Sequence, residues 1–556
     1  MGRLNKLFIS LFQPKLIFIY AVVVFGFLMA KNPYSERNLI SNLEPYPDTF
    51  HYIVPAISLV NGGPFKIVRD GRTLNPSVPP MYSFVLSPFF LVNKDPRTFY
   101  FANVFLSFLS IYVLFLIVKR ITNDKWILGI ILFLFSTNYF MYWYPQWAMA
   151  ENLILPIVLG SIYLLLLPVN TKSIFLASLV SLLLYSTKYA YLPYLVAYSG
   201  IFFVKICIDG KTRKVKKLLM FILLSMIFVI PVGVYQFYLQ GVNPLSRYLS
   251  IFVGLLPFVK QTSGSLSDKF VGPAGWFSKI FFQKNFPLYL RGLLGEQTRF
   301  LWDFTPILPK YIIYPAWIGL FIGIFKKRFR FLSISLLILL LFHLFFIASF
   351  STLDMRYIYH AIPTLLLGFG LFLATAKEFL EKREMNLVYL ILTFSILGLY
   401  LFNNALRIKY QVALNFRHSE TPWYYISVLN LNDYFTKDKI VNSKRPIVIS
   451  PMPPYYIDYF SNGNYGLLPL AKDQEFRLNK EIAWGPDDYS DLPKLYKKYL
   501  IEGDNLYVST YGLGNESYLH LAFDNLKKDF VLTEVKDGCY TQCKIYKLDL
   551  KNAKNY

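Results

Sequence analysis

The stretch Phe99–Arg120, FYFANVFLSFLSIYVLFLIVKR, decides the fold class, because an uncharged run ends there in Lys119 and Arg120. A run of this length crosses about 30 Å of hydrocarbon as an α-helix. Basic residues directly after such a run mark its cytoplasmic end. The stretch therefore predicts a membrane helix whose C-terminal end faces the cytoplasm.

Similar runs recur along the whole chain, which is 55% hydrophobic with a mean hydropathy of +0.40. We predict eleven membrane helices, near residues 7–30, 99–118, 126–143, 148–167, 173–187, 190–204, 218–238, 311–325, 331–350, 357–375 and 387–404. Lys and Arg concentrate in alternate connections, such as 205–217 and 326–330. This asymmetry predicts an all-α polytopic membrane protein with its N-terminus inside and its C-terminus outside.

The net charge of +24 follows the same division of the chain. After residue 410 the basic and acidic residues are equal in number, so the excess belongs to the membrane part. Basic residues beside membrane helices meet anionic lipid head groups. The charge therefore indicates membrane lipids as partners and argues against nucleic acid.

Two outer segments interrupt the membrane domain that we assign to residues 1–409. The first, residues 31–98, mixes helical stretches with turns rich in Pro and Gly. The second, residues 240–310, contains two amphipathic pieces, at 245–260 and 276–294. Helices of this kind lie in the membrane interface. We expect both pieces at the membrane surface beside a substrate entrance.

Residues 410–556 have the character of a small α/β domain outside the membrane. Short buried strands are predicted at residues 448–450, 506–508 and 544–548, and a helix end leading into a strand at 525–536. Cys539 and Cys543 lie in the hairpin-like stretch DGCYTQC, where a disulfide is plausible in an oxidising compartment.

Asp48, in the first outer segment, is the leading candidate for chemistry. It stands in PDTFHY, residues 47–52. One interpretation is a general base that removes a proton from an acceptor hydroxyl. The other is the N-cap of a helix that begins at Thr49, since Asp is a favoured N-cap residue. The residue alone supports both.

Three further charged residues fall on the same predicted side. Glu151 opens the fourth membrane helix, where the helix dipole favours it, or where it orients an acceptor or a metal ion. Lys188 and Arg356 are cations suited to a lipid phosphate. Alternatively, Lys188 reaches towards the interface and Arg356 pairs with Asp354. His343, within a predicted helix, is interpreted as a core residue.

Together these residues resemble the GT-C glycosyltransferases, which use polyprenyl-phosphate-linked sugars. The resemblance covers residues 7–405 and is strongest to the protein O-mannosyltransferases, the lipid A aminoarabinose transferase and related lipopolysaccharide sugar transferases. The residues that support the resemblance are Asp48 with Tyr52, Val78-Pro79-Pro80-Met81-Tyr82, Glu151, Lys188, and Arg356-Tyr357 with Pro363.

The resemblance implies a GT-C fold and a role for each matched residue. Asp48 is the implied catalytic base, and Tyr52 and Glu151 are implied to orient the acceptor. Lys188, Arg356 and Tyr357 are the implied candidates for holding the donor phosphate. Arg291, on an amphipathic piece outside the matched residues, is a further candidate, although its position favours a contact with lipid head groups. Many relatives carry two adjacent acids where this chain has Asp48 and Thr49. Participation of a divalent metal ion is therefore left open.

The resulting hypothesis is an inverting transfer from a polyprenyl-phosphate-linked sugar to a hydroxyl of a lipid, glycan or protein at the outer membrane face. A transporter or flippase of a lipid-linked glycan is one alternative, for which charges spread through mid-helix positions are expected. A non-catalytic assembly protein acting through its tail is another, in which Asp48 is only a helix cap.

Overall fold

The computed structural model describes most of the membrane part and the elements of the tail. The described residues are 13–34, 47–65, 67–69, 72–74, 78–209, 214–240, 283, 285–296, 306–348, 355–416, 431–432, 434–435, 446–451, 465–471, 491–510, 513, 517–537 and 544–551.

Helices occupy all eleven predicted membrane spans. They are α1 (Pro14–Leu28), α4 (Phe99–Ile121), α5 and α6 (Lys125–Ser136 and Tyr139–Trp143), α7 (Glu151–Leu165), α8 (Thr171–Thr187), α9 (Leu192–Asp209), α10 (Lys214–Gln240), α12 (Lys310–Phe325), α13 (Arg330–Ile347), α14 (Ala361–Glu381) and α15 (Asn386–Phe416). Within the described residues, six helical segments are long and apolar enough to cross a membrane, or seven if a bent pair counts as one. The predicted polytopic helical membrane fold is confirmed.

The bent pair interrupts the third predicted span. The segment Lys125–Ser136 and the segment Tyr139–Gln146 meet at an angle of 50°. Asn138 caps the second piece, because its Oδ1 accepts a hydrogen bond from the Phe140 amide at 3.0 Å. Its Nδ2 donates to the Ile307 carbonyl at 3.0 Å. The asparagine thus satisfies backbone groups that the break would otherwise leave unpaired.

The described parts of the outer segments contain short elements, and the predicted amphipathic piece 245–260 lies outside the described residues. These elements are α2 (Pro47–Val60), the strands β1 (Ile67–Arg69) and β2 (Arg72–Leu74), α3 (Met81–Val92) and α11 (Phe286–Leu293). The two strands pair antiparallel. On α12, the Trp317 indole donates to the Leu293 carbonyl at 3.0 Å, which ties the end of α11 to the membrane bundle.

Glycines allow α12 and α14 to cross in backbone contact. A Cβ added at Gly319 would overlap the Gly368 carbonyl oxygen and lie 2.6 Å from the Phe372 nitrogen. A Cβ added at Gly368 would lie 2.6 Å from the Ala316 carbonyl oxygen. Small residues promote close packing of membrane helices in this way.

The tail forms the predicted small α/β domain. Its elements are β3 (Ile447–Ser450), β4 (Gly466–Pro469), α16 (Leu492–Ile501), β5 (Leu506–Ser509), α17 (Ser517–Asp529), β6 (Phe530–Asp537) and β7 (Lys544–Leu550). The sheet order is β4-β3-β5-β7-β6, with β3 parallel to both neighbours and β7 antiparallel to both of its own. The strand β4 and the helix α16 were not predicted.

The chain divides into two compact units. The first comprises Met1–Asn32, Val78–Val85 and Tyr100–Arg417, and the second comprises Pro33–Ser77, Leu86–Phe99 and His418–Tyr556. The membrane helices build the first unit, and the tail sheet belongs to the second.

Candidate active site

Glu151 is positioned by the loop that precedes α7, whose first residue it is. Asn152 fixes this loop by donating to three of its carbonyl groups at 3.0 or 3.1 Å. Asn103 of α4 donates to two loop carbonyls at 3.1 and 2.8 Å. Tyr82, at the end of the Pro-Pro segment, donates to Asn103 Oδ1 at 2.7 Å. Two buried amides therefore hold the loop, and the matched segment contacts one of them.

Lys31, three residues after the end of α1, supports the same loop. Its Nζ donates to Gln146 Oε1 at 3.4 Å and lies 5.1 Å from the centre of the Tyr100 ring. Burial lowers the pKa of Lys31 to about 8. The side chain is thus a cation at neutral pH that begins to lose its proton under mildly alkaline conditions.

Lys188 stands where α8 ends. Its backbone is extended, with φ of −155° and ψ of 129°, and a 3₁₀ turn, Tyr189–Tyr191, follows it. The hydroxyls of Ser186 and Thr187 bond to carbonyls of the last turn of α8 at 2.7 and 2.5 Å. The change of backbone conformation stops the helix and leaves Lys188 at the break before α9.

Four residues named from the sequence meet at this point. Lys188 Nζ donates to Glu151 Oε1 in a buried ion pair. Arg356 Nε lies 3.9 Å from the same oxygen. Lys188 Nζ is 5.5 Å from the centre of the Tyr357 ring, and Arg356 Nη2 donates to the Tyr357 hydroxyl at 3.4 Å. The glutamate, both cations and the tyrosine form one cluster.

The cluster carries a formal excess of one positive charge among its described members. Glu151 is fully buried, whereas the side chains of Lys188 and Arg356 are 10% and 20% exposed. Glu151 Oε2 has no hydrogen-bond partner in the described part of the chain. Partly buried cations with one carboxylate can bind an anion whose oxygens the guanidinium contacts in pairs.

Behind the cluster lies a group of buried aromatic and histidine side chains. Arg356 and Tyr357 belong to the 3₁₀ turn Met355–Ile358. His343 Nε2 is 2.9 Å from the Tyr357 carbonyl oxygen. The Tyr191 hydroxyl donates to the Arg356 carbonyl oxygen at 3.4 Å. His343 is a core histidine, as predicted, but the interpretation missed that it touches the backbone of a site residue.

Spacing along the sequence gives only a weak signal for Tyr191 and His360, which were not predicted as site residues. Tyr191 follows Lys188 by three positions, and His360 follows Arg356 by four. Residues that share a helical turn with a functional cation lie near it. The contact of His343 with this turn depends on how α13 and α14 pack, which spacing along the chain does not encode.

Asp48 and Tyr52 lie on α2, in the second unit. The helix spans Pro47–Val60, so Asp48 lies at its N-terminal end. Tyr52 follows one helical turn later and is buried. An acid in a first turn is favoured by the helix dipole. The role of Asp48 as a base stays a prediction.

The remaining predicted residues are not part of the cluster. Among the described residues, the ion pair of Arg291 is with Glu296, at 3.8 Å, and both side chains are exposed. Cys539 and Cys543 fall in the connection 538–543 between β6 and β7, outside the described residues. Within the described ranges, no three His, Cys, Asp or Glu side chains group as metal ligands.

Comparison with solved structures identifies the fold. The chain superposes on the crystal structure of ArnT from Cupriavidus metallidurans bound to undecaprenyl phosphate with a TM-score of 0.60 and 10% identity, covering 96% of this chain and 97% of that one. The apo state of that ArnT gives a TM-score of 0.58 with 13% identity over 96% and 97%. The oligosaccharyltransferase of Archaeoglobus fulgidus in its apo form gives 0.52 with 11% identity, covering 98% of this chain and 75% of that one.

The chain has the GT-C fold. No protein-family model matches it, and no curated protein matches it in sequence. Each member of the cluster on this GT-C fold stands at a helix end or in a connecting turn. Helix ends are where backbone groups and charged side chains can turn towards a ligand.

Proposed function

We propose that this protein is a membrane glycosyltransferase that moves a sugar from a polyprenyl-phosphate carrier to an acceptor hydroxyl at the outer face of the membrane. The observation that carries the proposal is the cluster of Lys188, Arg356, Tyr357 and buried Glu151 on a GT-C fold. ArnT, which shares this fold, has been crystallised with undecaprenyl phosphate. A polyprenyl phosphate is therefore the first ligand to test.

The charge of the cluster supports a phosphate ligand. A polyprenyl-phosphate sugar is a phosphodiester with one negative charge, which matches the excess of one positive charge beside Glu151. When the bond between the anomeric carbon and the phosphate oxygen breaks, a second negative charge develops on the phosphate. Cations already held in place stabilise that charge without reorganising.

Asp48 is the general base in this proposal, on the evidence of its sequence context. Its carboxylate takes the proton of the acceptor hydroxyl while the hydroxyl oxygen attacks the anomeric carbon. Attack comes from the face opposite the phosphate, so the configuration inverts and the bonding electrons leave with the phosphate. The transition state resembles an oxocarbenium ion, as in glycoside hydrolysis.

The remaining assignments complete the proposal. Tyr52 and Glu151 orient the acceptor, which is a lipid, a glycan or a protein, and Glu151 Oε2 is a buried acceptor atom suited to a hydroxyl. Arg291, exposed on α11, contributes to the donor phosphate from the interfacial segment. The active site and the tail domain face the outside of the membrane. In the tail, a disulfide links Cys539 and Cys543 in the connection between β6 and β7.

The deciding experiment incubates the purified full-length protein with a panel of polyprenyl-phosphate sugars and measures released polyprenyl phosphate. Asp48→Asn is expected to lower turnover by about 10²–10⁴-fold, the usual contribution of a general base. Asp95→Asn is the matched control, because Asp95 lies in the same outer segment but pairs with Arg97 at 2.5 Å. Near-normal turnover of Asp48→Asn would remove the base assignment.

A second outcome separates the proposal from transport. Vesicles that contain the protein and move a lipid-linked sugar across the bilayer, without releasing polyprenyl phosphate from any donor of the panel, would contradict the transferase proposal. A tail deletion that keeps turnover would exclude an assembly protein acting through residues 410–556.

A further inference from the structure

The turn Met355–Ile358 presents Arg356 and Tyr357 to the cluster. It is too short for its own hydrogen bonds to fix its conformation. A 3₁₀ turn of four residues has few internal hydrogen bonds with poor geometry. The direction of an arginine fork matters when it binds a phosphate in pairs of contacts. The turn therefore needs ties from other parts of the fold.

Two backbone carbonyls of the turn receive such ties. The Tyr357 carbonyl can only accept, so His343 Nε2, at 2.9 Å, carries the proton. The Arg356 carbonyl accepts from the Tyr191 hydroxyl at 3.4 Å. Both side chains are fully buried.

A second histidine contacts the Tyr191 hydroxyl that binds the Arg356 carbonyl. His360 Nδ1 lies 3.4 Å from the Tyr191 hydroxyl oxygen. That hydroxyl gives its only proton to the Arg356 carbonyl, so His360 Nδ1 is the donor to it. The two imidazole rings lie 4.6 Å apart, nearly perpendicular. His343 thus contacts the Tyr357 carbonyl directly, and His360 acts on the adjacent Arg356 carbonyl through the Tyr191 hydroxyl.

We propose that His343 is a positioning residue for the donor phosphate. The His360–Tyr191 pair makes a second hydrogen-bonded contact with the same turn. His343 touches neither phosphate nor sugar. It fixes the Tyr357 carbonyl and through it the orientation of Arg356 and Tyr357 beside Lys188. The inference rests on the proposed function in one respect, that the anion held by this turn is a carrier phosphate.

The test measures the affinity for polyprenyl phosphate and, separately, the donor and acceptor KM. His343→Phe keeps a ring but cannot donate, and we expect a roughly fivefold weaker affinity and a higher donor KM, since one hydrogen bond contributes about 1 kcal/mol. His343→Gln retains an N–H that can reach the same carbonyl and should restore most of the affinity. The acceptor KM should not change in either variant.

Tyr191 and Tyr194 supply the matched control. Tyr194 packs on both histidines, with ring centres 6.2 and 5.3 Å away, but its hydroxyl meets Ser161 at 3.0 Å and not the turn. Tyr191→Phe should therefore raise the donor KM, whereas Tyr194→Phe should leave it unchanged. A purely structural role would lower Tm and affect both substrates alike.

The outcomes separate the two proposals. Wild-type protein that binds no polyprenyl phosphate would overturn both. Normal binding by wild type and also by His343→Phe would overturn only the positioning role. Equal effects of Tyr191→Phe and Tyr194→Phe, or no rescue by His343→Gln, would also overturn it.

Discussion

At the scale of single residues, the Glu151–Lys188 pair is the most consequential feature. Two charges removed from water lose hydration energy that their attraction repays only in part. A buried pair is therefore weak evidence for stability. Here Lys188 also lies beside Tyr357, and Arg356 lies near the same Glu151 oxygen, an arrangement that the proposed function uses to bind the donor phosphate.

We expect that removing one partner of the Glu151–Lys188 pair strongly lowers the stability of the protein, whereas replacing both partners lowers it little. Lys188→Met should destabilise the protein by about 3 kcal/mol, because Glu151 is left buried without its nearest cation. The double variant Glu151→Gln/Lys188→Met should recover most of that stability but none of the turnover. Thermal unfolding of the purified protein, followed in parallel with turnover, measures both effects.

A surface pair provides the control. Lys326 and Glu378 are 2.5 Å apart with side chains 31% and 48% exposed, so Lys326→Met should change stability by less than about 1 kcal/mol. Equal losses of stability in Lys188→Met and Lys326→Met would contradict the buried-charge argument.

At the scale of elements, the crossing of α12 and α14 places the site. The helix α14 follows the Met355–Ile358 turn after two residues, so its position carries the turn with it. Gly319 and Gly368 bring the two backbones together. Any side chain at Gly319 would meet main-chain atoms, which cannot move aside as a flexible side chain can.

Gly319→Ala is therefore expected to lower Tm clearly and to weaken donor binding through the displaced turn. Gly398→Ala on α15 is the control, since no atom outside its own helix lies within 4 Å of an added Cβ there. That substitution should be neutral or stabilise by about 0.5–1 kcal/mol through helix propensity. Tm of both variants decides the point, and a tolerated Gly319→Ala would show that the helices can separate.

The sequence predicted the elements well wherever one physical signal dominated. Apolar runs produced helices at every expected span, including the shorter ones, because unpaired backbone groups are not tolerated in lipid. The break at Asn138 escaped notice, since Thr137 and Asn138 look tolerable within an apolar run. The strand β4 is four residues long and pairs only through the tertiary fold.

The residues of the candidate site also fall into those that a single physical signal predicts and those that it does not. Charged residues at membrane depth stand out because they are costly, and Glu151, Lys188 and Arg356 were found for that reason. His343, His360 and Tyr191 are uncharged or ordinary core residues in a chain that is 19% aromatic. Their contacts with the turn arise from helix packing and leave no pattern along the chain.

At the scale of the whole molecule, the distribution of Lys and Arg predicts which ends face the cytoplasm. The three cysteines make this testable, because Cys207 follows a predicted inner end and Cys539 and Cys543 lie in the predicted outer tail. Cys207 is free and exposed near the end of α9.

A membrane-impermeant thiol reagent should give no labelling of intact cells before reduction. An impermeant reductant should open the predicted Cys539–Cys543 disulfide, and the tail should then be labelled. Cys207 should react only once the membrane is permeabilised, with Cys207→Ser identifying that signal. Labelling of Cys207 in intact cells would reverse the predicted orientation.

The single excess positive charge around Glu151 has a consequence for the end of the reaction. The donor brings one negative charge, but the phosphomonoester left behind carries about −1.5 to −2 at neutral pH. Under the proposed function, we therefore expect the spent carrier to bind more tightly than the fresh donor and its release to limit the rate of the cycle. Rapid mixing should reveal a first turnover faster than all later ones, because each later turnover waits for the pocket to empty.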